Sequence, residues 1–277
     1  MHTLTHNATS RKSIQEASAY GYSNQERDYD DWVRSGATGW GYADVLPYYR
    51  RSEDNSDFCN EQHGIGGPLG VSFNNHVHPL TRKWLQACQQ AGFAFNPDFN
   101  SGSPDGCGYY QVAAKNGSRV SSVSAYLRPA MHRQNLKVIT GARVSRILIE
   151  GGRAIGVQYS VGRELLTLKA DREVIVSAGA INSPKLLMVS GIGPADALGA
   201  LGIQVHADVP GVGENLQDHL EMSQIYQLKD VHSYDRYKKA HWKAWAALQY
   251  LVARSGPIAS NLIEGGLFAR GSQIDQM

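Results

Sequence analysis

The chain has 277 residues, enough to bury a sizeable core in one large or two small domains. Hydrophobic residues make up 42% and charged residues 19%, an ordinary globular balance, and the net charge of +2 is scattered along the chain. No run is apolar enough to span a bilayer as a helix, and the nearest basic run, YKKAHWK from Tyr237 to Lys243, reads as a solvated helix face and gives nucleic acid no other support.

In chain order, the first 25 or so residues look irregular and polar. They lack the apolar core of a secretory signal, so Asn7 in NAT reads as a chance match to a glycosylation acceptor and the cytoplasm is the expected compartment. The aromatic-rich stretch from Asp28 to Asp54 ends in an amphipathic helix expected over Tyr42 to Glu53. HGIGGPLGVSF, starting at His63, is a glycine-rich turn entering a short strand, and a helix is expected from Pro79 to Gly92. In that helix Leu80, Trp84, Leu85 and Cys88 share one face, which makes Cys88 a core residue. The three cysteines, Cys59, Cys88 and Cys107, form neither a disulfide framework nor a metal pattern.

Gly106 to Ser118 reads as a loop with one strand, and SVSAYLRPAMHRQ after it as a helix. A series of strands is then predicted: Leu136–Thr140, Val144–Glu150, Ala154–Val161 and Glu164–Ala170, with Gly151–Gly152 as a tight hairpin turn, and finally Glu173–Gly179 as a buried strand. In AGAINSPKLLMVSGIG, from Ala178 to Gly193, Ser183 is suited to an N-cap, Pro184 to the first helical position and Gly191 to the stop. Pro194 and Gly202 repeat the device, Ile203 onward is a strand running into a glycine loop, and a long helix fills Ala240 to Ala253. The sum is an α/β (α+β mixed) fold of at least two layers.

The glycines do not complete a dinucleotide fingerprint: after Gly64 and Gly66 comes Leu69, after Gly191 and Gly193 comes Asp196, and after Gly211 and Gly213 comes Leu216. His76 and His78 lie two apart, which suits a metal on one strand face, but no third ligand has the spacing. Gln217–His219 reads as a polar network around a loop or as part of a catalytic site, and no G-x-S-x-G elbow exists. Glu264 is an acid in an apolar, small-residue segment; it is either ion-paired, exposed, or facing a cationic ligand.

GAINSPKLLMVSGIG resembles the second signature of the glucose–methanol–choline (GMC) flavoprotein oxidoreductases, with Gly179, Ser183, Pro184, Leu186, Leu187, Ser190, Gly191, Ile192 and Gly193 all fitting it. GWGYADVLPYYRRSE, HGIGGPLGVS, GSRVSSVSAYLRPA, PGVGENLQDHLE and GPIASNLIEGGLF are similar to family blocks in the expected order, so the resemblance covers about Asp28 to Arg270. It implies FAD as cofactor, an alcohol, choline or another, as substrate, a histidine base and hydride transfer to flavin N5. It implies an FAD-covering region in 1–63, substrate-domain portions in 64–116 and 222–277, and a flavin-domain portion with β-meander in 117–221. Val144 would lie by the adenine through its backbone, and Ala178 and Gly179 would approach the FAD; the same small residues also suit helix–strand packing. Glu264 would match a carboxylate that faces a quaternary ammonium in choline-oxidising relatives.

The family pattern places its G-x-G-x-x-G upstream and its catalytic histidine beyond the C-terminus, and Ala17 stands about where a flavin-contacting Asn is expected. The expectation is therefore an internal piece of such an enzyme, marginally stable or aggregation-prone by itself. It would be inactive alone, one part of a split enzyme, or a non-catalytic interaction module.

Overall fold

The structure, a computed structural model, describes residues 4–5, 26–218, 222–229 and 231–269. Asn7, Ala17 and His219 lie outside the described residues. The chain forms two compact units: one from Ala130–Ile225 with the strand Leu4–Thr5, the other from residues 26–129 and from Tyr226 onward.

Strand β1 (Leu4–Thr5) pairs in parallel with a strand of the first unit described below, so the early chain is not wholly irregular. Helix α1 (Glu26–Arg34) buries Tyr29, whose hydroxyl donates to the Tyr49 hydroxyl at 2.7 Å on α2 (Tyr42–Ser52). The Asp44 carboxylate reaches back to the Gly41 N–H at 3.0 Å and starts α2. The chain leaves α2 directly into β2 (Glu53–Asn55), which pairs in parallel with β3 (Leu69–Phe73).

Helix α3 (Pro79–Gln90) begins as the sequence predicts, with Pro79 at its first position and the His78 imidazole accepting the Leu80 N–H at 3.1 Å. Its inner face places Leu85 and Cys88 against Cys107 of β4 (Gly106–Tyr109), with Phe93, Tyr109 and Leu267 around them. Leu85 is 2% and Cys107 0% exposed, and burial of such a side chain stabilises by about 1.5–3 kcal/mol. Trp84, expected on the same face, is 45% exposed, because it lies one residue off the stripe that Leu85 and Cys88 define. The expected single strand after Gly106 is several: β4, β5 (Gln111–Val112), which pairs with β3, and the hairpin β6 (Ala114–Lys115) and β7 (Ser118–Arg119).

The helix predicted over SVSAYLRPAMHRQ is shorter, a π-turn over Val123–Leu127 followed by Arg128–Ala130. Ser121 and Ser124 cap its start reciprocally, and Pro129, lacking an N–H, cannot extend a hydrogen-bond ladder. Leu136–Thr140 forms no strand, for it meets no partner among the described residues, and a β pattern without a partner cannot satisfy its backbone.

The meander is as predicted: β8 (Ala142–Glu150), β9 (Arg153–Val161) and β10 (Glu164–Lys169) pair antiparallel in sequence order. Gly151 and Gly152, at φ +55° and +76°, turn β8 into β9 as a two-residue hairpin of primed type requires. Register shifts fall between Val144 and Arg146 and between Leu148 and Ile149. The next strand, β11 (Ile175–Val176), pairs with β1 instead of extending the meander, and Ile175 is exposed, not buried.

Helix α4 (Gly179–Val189) starts earlier than the sequence suggests, and Pro184 is its sixth residue. Ser183 is not the N-cap: its Oγ accepts the Ala178 N–H at 3.0 Å from inside the helix. The end is as predicted, with Gly191 at φ +83° after it. Buried Ser190 ties α4 to β8, accepting from the Ile147 N–H at 2.8 Å and donating to the Leu186 carbonyl at 2.6 Å. β12 (Ile192–Gly193) pairs in parallel with β13 (Ala207–Asp208), and α5 (Ala195–Ala200) lies between them in sequence, its Leu198 fully buried. Helix α6 (Ala240–Ala253) and β14 (Gly265–Phe268) complete the second unit, β14 pairing antiparallel with β4.

Candidate functional site

Three of the sequence-predicted residues fall in the meander unit. Ala178 is the N-cap residue of α4 and Gly179 its first residue. Gly179 stands at φ +86° with no atom within 4 Å of where a Cβ would point. Among the described residues nothing crowds it, so its smallness leaves open space in front of the helix start. No side chain caps that start, Gly179 and Ala180 are exposed, and Ile181 is 69% exposed. A helix start without a side-chain cap, carrying the positive end of the helix dipole, suits a polar, anionic ligand laid against small residues. Val144 is half-buried on β8, at the residue where the register shifts, and α4 packs on the same strand. Bulges of this kind re-aim backbone at a strand edge.

Glu264 belongs to the other unit and is 2% exposed. It is neither surface-exposed nor ion-paired among the described residues. Its Oε2 accepts from the His78 N–H at 2.6 Å and from Thr81 Oγ1 at 2.8 Å. Its Oε1 accepts from Ser260 Oγ at 2.6 Å and from the Tyr234 hydroxyl. Burial pushes the carboxyl pKa up, but the four donors outweigh it and hold the group below its ordinary value. Glu264 is thus a buried anion solvated by neutral dipoles, with no salt-bridge partner among the described residues. The Tyr234 hydroxyl is pushed far up by burial and by this carboxylate, so it stays a donor.

The histidines resolve differently from their sequence pattern. His78 Nδ1 is engaged by the Leu80 N–H, and no group of three or more His, Cys, Asp or Glu among the described residues is arranged for a metal ion. The residue that sequence reading passed over is His63. It is 5% exposed, with Nδ1 3.0 Å from Glu53 Oε1 and Nε2 3.1 Å from Asp98 Oδ2. Burial lowers its pKa, yet the two carboxylates raise it to about 9 and are themselves held low by the imidazolium. Asn55 Nδ2 donates to Glu53 Oε1 and to Gln111 Oε1, and Gln111 Nε2 donates to Asn55 Oδ1, closing the network. Its only sequence signal was an acid and an amide, Glu53 and Asn55, in a strand that burial would otherwise fill with apolar residues.

Residues 18–221 match the family model described as GMC oxidoreductase, and the chain belongs to that family. It is 43% identical over 246 residues to an oxygen-dependent choline dehydrogenase of Brucella anthropi, covering 88% of this chain and 44% of that protein. Among solved structures, a pyridoxine 4-oxidase from Mesorbium loti is 34% identical with a TM-score of 0.67, over 73% of this chain and 40% of that one. An FAD-dependent oxidoreductase from Chaetomium thermophilum is 26% identical with a TM-score of 0.78, over 90% and 46%. The chain therefore spans less than half the length of the relatives it matches, and the α/β fold is that of FAD-dependent enzymes. No described helix is long and apolar enough to cross a membrane.

Proposed function

We propose that this chain is part of an FAD-dependent oxidoreductase that oxidises the CH–OH group of a small alcohol, with choline as the favoured substrate. The observation that carries the substrate is Glu264: a buried carboxylate kept ionised by four neutral donors, with no ion-pair partner among the described residues, suits a substrate with a fixed positive charge.

In this reading the meander unit holds the cofactor. Val144 would offer backbone beside the adenine, and Ala178 and Gly179 would let FAD approach the uncapped start of α4. The open space at Gly179 fits a large planar or phosphate-bearing group. FAD, when bound, supplies the hydride acceptor. The unit that carries Glu264 would serve the substrate, with Thr81, Ser260 and Tyr234 orienting the carboxylate and holding it unprotonated.

A visible absorbance spectrum of the purified chain before and after incubation with FAD tests the cofactor half. Flavin bands that survive desalting support it; a colourless protein counts against it. A second reading, in which the chain is one piece of a larger catalytic assembly, is supported by the exposed Leu251 and Val252 of α6. Added flavin with a co-expressed complementary segment and alcohol-dependent bleaching would distinguish it from a non-catalytic interaction module.

A further inference from the structure

We infer that the cavity between the start of α3 and the segment before α6 is a binding site for a small oxyanion, a carboxylate or a phosphate. The cavity holds about 350 Å³ and is lined by His76, His78, Lys83, His232, Arg236 and Tyr237, with apolar residues between them. This is the small end of ligand pockets, suited to a short organic acid or a phosphate monoester and too small for a dinucleotide.

Its lining contains cations and imidazoles and, among the described residues, no carboxylate. Lys238, on the same segment, shows what an ordinary surface cation here does: it pairs with Asp235 at 2.5 Å. Lys83 and Arg236 have no such partner among the described residues. Arg236 is the more telling. Its guanidinium carbon lies 3.7 Å from the Trp242 ring centroid and 5.8 Å from that of Tyr237, so the head is packed against aromatic rings. Its Nε is buried with no hydrogen-bond partner. Arg236 is half-buried and its guanidinium has no ion-pair partner among the described residues, a donor group that a planar or tetrahedral oxyanion can engage.

The imidazoles add ring N–H donors. A backbone N–H can only donate, so the Leu80 contact leaves His78 Nδ1 unprotonated and puts the hydrogen on Nε2. Burial, with His78 and Arg82 nearby, holds His76 below its ordinary pKa against the opposing pull of Glu264. The helix start itself contributes little: the N–H groups of His78, Leu80, Thr81 and Arg82 are all engaged, with Glu264, the His78 ring and the His78 carbonyl. The site is thus built of side chains. Glu264 does not line it, and both of its oxygens are already engaged. The inference stands whether or not Glu264 recognises a cationic alcohol.

The test is calorimetric titration of the whole chain, in a buffer free of carboxylate and phosphate, with inorganic phosphate and separately with succinate, potassium chloride holding ionic strength constant. Saturable one-to-one binding is expected, weakened at least about tenfold in Arg236→Gln and in Lys83→Gln, with Arg236→Lys intermediate. Lys83 is exposed on α3, so Lys83→Gln keeps the fold even if Arg236→Gln does not. Saturation by phosphate alone, or by succinate alone, supports the site and names its anion. No heat from either anion beyond that of chloride, or full affinity in Lys83→Gln, would overturn it.

Discussion

The backbone N–H of His78 lies 2.6 Å from a carboxylate oxygen of Glu264, 186 residues further along the chain. One contact thus joins the N-cap of α3 to the residue that leads into β14. Glu264→Gln replaces one acceptor oxygen with a donor that meets hydroxyl and amide donors already in place, and is expected to cost about 1–3 kcal/mol. A shift of the urea midpoint with unchanged slope measures it.

For catalysis, the same residue predicts a difference between substrates, not a general loss. In the full-length enzyme, Glu264→Gln should raise KM for choline at least about tenfold more than for a neutral alcohol of similar size, with Glu264→Asp retaining the preference. Ratios are insensitive to the fraction folded. Equal effects on both alcohols would remove the choline assignment.

The His63 network predicts a pH window. The folded pKa of His63 is raised to about 9, so its contribution is fully present below the unfolded value near 6.5 and is lost as pH rises through 9. Glu53 and Asp98 are held below their ordinary values, so their contribution is present above the unfolded carboxylate range and is lost as pH falls through the folded values. Denaturant midpoints should therefore decline on both flanks of mildly acidic pH, and His63→Gln should flatten the alkaline flank. An unchanged alkaline slope in that variant would count against the imidazolium.

Neighbours on α3 should respond oppositely to truncation. Leu85→Ala opens a cavity against Cys88 and Cys107 and should cost about 2–5 kcal/mol, whereas Trp84→Ala should stay within about 0.5 kcal/mol. Thermal melts of the two variants check the ranking.

Two glycines separate packing from cofactor approach. A Cβ at Gly191 would stand 2.2 Å from the Gln204 carbonyl oxygen at φ +83°, so Gly191→Ala should destabilise by more than about 1 kcal/mol. Gly179 has the same sign of φ but open space, so Gly179→Ala should cost about 1 kcal/mol from the backbone alone. If FAD lies there, this variant should also lose flavin retention beyond what its stability explains, read as bound absorbance after desalting.

Local patterning made the meander, α2, α3 and α6 legible, because their hydrophobic periods and turn residues are written in consecutive positions. The family, too, was legible in the run from Gly179 to Gly193. What was hidden depended on partners. Leu136–Thr140 has strand composition but no neighbour to pair with among the described residues. Ser183 and Pro184 read as a helix start, yet the Ala178 N–H found Ser183 from one turn earlier. The acid at Glu264 was conspicuous in sequence, but its four donors come from positions 78, 81, 234 and 260, a convergence no spacing rule contains. His63 was missed for the same reason.

The pairing of β4 with β14 sets Leu267 opposite Cys107, 160 residues apart, with the three meander strands encoded in between. On the ribosome, at roughly 5–20 residues per second, α3 and β4 would wait on the order of ten to thirty seconds for their missing strand. Through that interval the apolar side of α3 has no β14 to cover it, while the meander, whose hairpins close locally, is free to fold. Synthesis of this chain thus contains a built-in delay, and the α3–β4 surface is where a nascent-chain chaperone would find its client.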